Sequence, residues 1–192
     1  MSETTPAPQG ATPGATPGAP GPNPMPPLVI NVQYVKDLSF EVPGAPQVFS
    51  TLRSQPAVQI NLDVQARRIN EGQSVFEVTL AIRAEATEVS TNGQAAAPPP
   101  DARRVFIAEL AYAGIFTLTG LPENAVEPVL LVECPRLLFP FARNILADVT
   151  RDGGFAPVLL QPIDFVQLWQ SRRAQAGQGS GQQAGQDTTV AV

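Results

Sequence analysis

The stretch VQINLDVQA, residues 58–66, alternates Val58, Ile60, Leu62 and Val64 with Gln59, Asn61, Asp63 and Gln65. Successive side chains of a strand point to opposite faces, so this stretch is a strand with one apolar and one polar side. The same period recurs in VFEVTLAIRAEA (75–86), which sets Phe76, Val78, Leu80 and Ile82 against Glu77, Thr79, Arg83 and Glu85. VFIAELAYAGIF (105–116) sets Phe106, Ala108, Leu110 and Tyr112 against Ile107, Glu109 and Ala111. LVINVQY (28–34) alternates Leu28, Ile30, Val32 and Tyr34 with Asn31 and Gln33. INEGQS (69–74) is a hairpin-length link, and STNGQAAAPPPD (90–101) is a longer surface loop. These stretches predict a four-stranded antiparallel sheet, apolar on one side.

KDLSFEVPGAP (36–46) begins as a strand and then bends between two prolines flanking Gly44-Ala45. The bend suits a segment that leaves one edge of the sheet and walls a groove on the other side. After Pro122 the period becomes helical. ENAVEPVLLVECPRLLFPFARNILADVTRDGG (123–154) carries Leu138, Phe141, Ile145 and Val149 at spacings of three and four. Pro135 and Pro140 remove backbone donors and predict a break or kink into two helical pieces, ended by Gly153-Gly154. A last helix begins at Asp164, with Gln167 at capping-box spacing and Ile163 and Leu168 as a staple. Strands followed by helices give an α+β layer: a four-stranded antiparallel sheet with a long kinked helix and a shorter C-terminal helix packed on one face.

The 192 residues divide into three parts. Residues 1–27 hold nine of the 21 prolines and the near-repeat ATPGATPGAPGP, a disordered extension that cannot offset its ordering entropy. Residues 28–173 form one domain. Residues 174–192 are a Gly/Gln-rich flexible tail.

A net charge of −5 argues against nucleic acid and anionic membranes as partners, since both reward a basic surface. No stretch is long and apolar enough to span a bilayer, and MSETTPAPQG lacks the basic and apolar regions of a secretory signal; the expected location is the cytoplasm.

There is no histidine, and Cys134 is the only cysteine. The commonest general base and metal ligand are therefore missing, no metal or other cofactor is expected, and Cys134 reads as a reduced thiol at a helix end. Glu77 and Glu109 could form a carboxylate pair only in a closed pocket, because an acid–base dyad needs burial to separate its pKa values. Their face reads as exposed, so they are read as solvated side chains and the protein as no enzyme.

YVKDLSFEVPGAP (34–46), ELAYAGIF (109–116) and CPRLLFPFARNILADVTRDGGFAPVLLQPIDF (134–165) resemble, in order and spacing, the signature segments of the SecB family of bacterial export chaperones. The resemblance runs from about Leu28 to about Arg173. It implies a cytoplasmic homotetramer, built as a dimer of dimers, that binds unfolded preproteins without ATP and passes them to the SecA motor at the membrane channel. Apolar residues around most of the circumference of VEPVLLVECPRLLFPF agree with burial in such an oligomer. By motif, the SecA-binding positions are Asp37 and Glu41 in KDLSFE with Ile107 and Glu109 in FIAEL. The client groove is expected to have Val58, Ile60, Leu62 and Phe76 on its floor and Trp169 on its lid helix. The segment VFSTLRSQPAV lacks the tryptophan common there in the family. A SecB-like chaperone dedicated to one client, such as an antitoxin, is the alternative reading.

Overall fold

Each alternating stretch becomes a strand: β1 Leu28–Glu41, β2 Ala57–Arg68, β3 Val75–Thr87 and β4 Arg104–Leu118. The computed structural model describes residues 27–88 and 103–179, so the Pro/Gly-rich extension, most of the 88–103 connection and the end of the tail lie outside the described residues. The sheet is antiparallel, in the order β1-β4-β3-β2. β1 and β2, consecutive in sequence, thus occupy opposite edges. Residues 42–56, with the short helix α1 (Val48–Thr51), make the crossing that the proline-flanked bend predicts.

Two irregularities in β1, between Ile30 and Val32 and between Val35 and Asp37, change which side chains share a face. Each inserts one residue, and one residue reverses the alternation. Strict alternation would leave Tyr34 beside Leu28 and Ile30. Instead Tyr34 is opposite Ala113 on the polar face, and its hydroxyl donates to Glu77. The second irregularity brings Asp37 to that same face, opposite Ala111.

The apolar face is covered by a helical run from Glu123 to Asp152: α2 (Glu123–Pro128), a π-helical turn (Val129–Glu133) and α3 (Cys134–Asp152). Of the two prolines expected to break or kink the run, only Pro135 lies at a change of helix type, just after the π turn. Pro135 sits in the first turn of α3, where a missing amide costs least, and the wide turn before it absorbs the misfit. Pro140 lies inside α3 without ending it. The buried stripe also differs from the expected one: Leu138, Ala142, Leu146 and Thr150 are fully buried, whereas Phe141 is half exposed. Ala142 is small enough for close approach to the sheet. Thr150 tolerates burial because its hydroxyl donates to the Leu146 carbonyl, 2.9 Å away. Cys134 is buried within the helical run rather than at a free end, and burial pushes its thiol up to about 12.

Helix α4 (Phe165–Gly179) starts as its capping residue predicts: Asp164 Oδ1 accepts from the amides of Val166 (2.9 Å) and Gln167 (3.1 Å). The helix carries past Arg173, so the expected start of the tail at residue 174 falls inside it. Phe165 anchors α4 edge-on against Phe139.

Candidate functional site: a groove and a charged sheet face

At one end of the sheet, β2 and the two long connections bound an open groove of about 860 Å³. Val58 and Ile60 of β2 and Phe106 of β4 contribute from the sheet. Leu52–Pro56 of the crossing segment form one wall, and Gly154–Ile163, between α3 and α4, form the other. The second wall is tied down by Thr150, whose Oγ1 accepts from the Val158 amide at 3.0 Å. Behind it Phe106 stacks at 4.9 Å on Phe155, which also meets Phe49 at 5.3 Å, while Phe40 meets Phe106 at 5.6 Å. Phe49 and Leu159 remain 52% and 61% exposed, although each would gain from burial. Such a surface holds apolar side chains without demanding a particular geometry.

The opposite face of the sheet is charged. Ser39 pairs with Glu109 and Glu41 with Ile107, and Asp37 lies two pairs from Ser39, opposite Ala111. All four motif residues therefore share one patch across β1 and β4. Arg83 bridges Glu109 and Glu85, and Arg104 binds Glu85 at 2.7 Å. The Arg83 guanidinium, with Arg104 beside it, holds the Glu85 carboxyl below the usual carboxylate range. Among the described residues, Asp37 and Glu41 have no salt-bridge partner and so present their charge outward.

Further along this face Glu77 is 4% exposed, against the expectation of a solvated side chain. It accepts from Arg67 (2.5 Å), Tyr34 and Lys36 (2.9 Å). The Arg67 hydrogen bond above all, helped by those from Tyr34 and Lys36 and opposed by burial, lowers Glu77 from 4.5 to about 2. Glu77 pairs with Ile115, six positions along β4 from Glu109. That offset is roughly 20 Å at strand rise. The two carboxylates cannot act on one bond.

Sequence comparison decides what this combination of groove and charged face belongs to. Residues 22–176 match the model of the family described as preprotein translocase subunit SecB. The chain belongs to the SecB family. Over 158 residues it is 66% identical to the protein-export protein SecB of Granulibacter bethesdensis, covering 82% of this chain and 89% of that one. It is 65% identical over 151 residues to the protein-export protein SecB of Acidiphilium cryptum, covering 78% and 90%. In fold it is similar to a solved SecB-like chaperone of Mycobacterium tuberculosis in complex with a peptide from an antitoxin, with a TM-score of 0.53 and 14% identity over 71% of this chain and 90% of that one.

Within this SecB-family fold the five expected groove residues separate. Val58 and Ile60 line the groove. Leu62 is partly buried against the main core, and Phe76 is 5% exposed in it, under the guanidinium of Arg68. Both follow Val58 and Ile60 along the same face, but α4 and the π turn cover that part of the sheet. Trp169 does not roof the groove. It lines a smaller pocket of about 200 Å³ with Val64, Leu131 and Leu168, and its Nε1 donates to Glu127 at 3.0 Å. A helical turn carries Trp169 away from Ile163, where the groove wall ends. Nothing in the residue order alone points to the 154–163 wall or the Phe49–Phe155 stack as groove, because that segment has no periodicity. The only mark it carries is the density of Pro, Phe and Leu in a stretch that is neither strand nor helix.

Proposed function

We propose that this chain is an ATP-independent holdase that keeps unfolded preproteins competent for export and delivers them to SecA. Its main support is the apolar groove bounded by Val58, Ile60 and the 154–163 wall, in which Val58, Ile60 and Leu159 are exposed to solvent. Burial in such a groove favours any exposed apolar segment by roughly 25 cal/mol per Å², so clients are selected by being unfolded rather than by sequence. The charged patch of Asp37, Glu41, Ile107 and Glu109 is the proposed SecA contact. Its charges supply steering and register, and the contact weakens with salt. The proposed assembly is a homotetramer, a dimer of dimers. Leu137 and Phe141 of α3, 40% and 50% exposed, support it as apolar surface left over by one subunit. The proposed location is the cytoplasm; among the described residues no helix is long and apolar enough to cross a membrane. Neither enzymatic activity nor a cofactor is part of this reading.

The test is suppression of aggregation of a reduced, unfolded preprotein by the wild-type protein and by Leu159→Asp, a change on the rim of the groove. The wild type should suppress it without ATP, and the variant should lose most of that activity while keeping its melting temperature. Wild-type protein that leaves aggregation unchanged would refute the holdase reading.

A further inference from the structure

We infer that Glu77 is a positioning residue for the charged patch: by holding Tyr34 and Lys36 it fixes the β1 irregularity that brings Asp37 to that face. The inference rests on the SecA reading of the patch. Lys36 is the extra residue of the irregularity, since Val35 pairs with Tyr112 and Asp37 with Ala111, the next residue of β4. Two residues of β1 thus oppose one of β4, and such an insertion re-aims the side chains that follow it. Lys36 reaches Glu77 at 2.9 Å, and Tyr34, on the other side of Val35, donates to the same carboxylate. One carboxylate therefore grips β1 on both sides of Val35, next to the insertion.

The stretch needs such a hold. β1 is an edge strand bonded only to β4, so no second neighbour fixes its phase. Asp37 has no salt-bridge partner among the described residues, so its place depends on the backbone. Closing the insertion would shift the following residues by one, setting Asp37 opposite Leu110 on the covered face and Leu38 opposite Glu109. Glu77 can resist that shift because it is itself fixed. It is 4% exposed on the inner strand β3, and Arg67 of β2 binds it from the other side at 2.5 Å. Ala113, which pairs with Tyr34 and with Thr79, is small and fully buried, so the Tyr34 and Lys36 side chains can cross β4 to reach β3. Glu77 makes no hydrogen bond or ion pair with any of the four patch residues; it acts on Asp37 through the backbone of β1.

Two measurements test this. Cysteines introduced as Asp37→Cys and Ala111→Cys face one another in this register and should form a disulfide on mild oxidation, with the native Cys134 buried away from them. Adding Glu77→Gln should cut the yield by about half or more, because a shift of one residue parts the two side chains. An unchanged yield, or no cross-link while Glu77 is present, would overturn the positioning role. The second measurement is a double-mutant cycle of SecA affinity at low salt. Glu77→Gln and Asp37→Asn should each weaken binding about threefold or more, and Asp37→Asn should cost less than about twofold once Glu77→Gln is present. Binding of an unfolded client should stay within about twofold throughout, because the groove lies on the other face. Equal costs of Asp37→Asn in the two backgrounds would overturn the inference. Wild-type protein that fails to bind SecA, with the cross-link responding as expected, would overturn the SecA reading and leave the register lock standing. Lys36→Met loosens the same tether without unpairing Arg67, and it carries both tests if Glu77→Gln does not fold.

Discussion

The ring edge of Phe40, on β1, fills the space beside Gly153 where any other residue would place its β-carbon. The contact joins the end of α3 to the aromatic stack behind the groove, since Phe40 also meets Phe106 at 5.6 Å and Phe155 at 6.4 Å. Gly153 has φ −72°, which an alanine adopts freely, so its requirement is steric rather than conformational.

Gly153→Ala should therefore act by overpacking, lowering stability by about 1–3 kcal/mol and displacing Phe40. Gly120→Ala, at φ +67° with open space around it, should cost about 1–2 kcal/mol through backbone strain and leave the groove untouched. Urea denaturation gives both costs, and client binding separates them: only the first variant should bind clients more weakly.

Acid should expose the Glu77 cluster. Its folded-state pKa lies near 2, below the ordinary 4.5, so the cluster contributes fully above about pH 4.5 and is lost as pH falls toward 2. With Arg67 and Lys36 largely solvated, the contribution is about 1–2 kcal/mol after screening. Denaturation midpoints measured from neutral pH to about pH 2.5 should show this loss in the wild type and not in Glu77→Gln. Parallel curves would exclude the assignment.

Glu109→Lys reverses the charge at the centre of the β1–β4 patch. It should weaken SecA binding at low salt by tenfold or more and leave binding of an unfolded client within about twofold, because the two surfaces lie on opposite faces of the sheet. Equal loss of both activities would count against the assigned surface.

The proposed tetramer would bury the exposed apolar residues of α3, Leu137 and Phe141. Light scattering should find a particle about four times the 20.3 kDa subunit. Phe141→Asp should lower that mass, because a carboxylate cannot be buried unpaired against another apolar surface. Wild-type protein that remains monomeric would refute the tetramer.

Much of this architecture was legible in the residue order. Period-2 alternation in VQINLDVQA and its three companions identified the strands, since a half-buried sheet requires it. The Asp164 cap, the bend after Glu41 and the crossing of the sheet were also readable, because each depends on local chemistry. The family resemblance, rather than the alternation, groups Asp37, Glu41, Ile107 and Glu109, and the β1–β4 register brings these four residues together.

Other features depended on which distant element covers which residue. Val58 and Phe76 belong to the same apolar face, yet one is 38% exposed and the other 5%, because the helices stop short of one end of the sheet. Alternation gives the face of a residue and carries no information about its cover. Glu77 looked solvated until the β1 irregularities delivered Tyr34 and Lys36 to it. Trp169 looked like a lid until α4 docked it on Glu127. Local order thus settled elements and faces, whereas packing between elements remote in sequence settled burial, charge partners and the position of the groove.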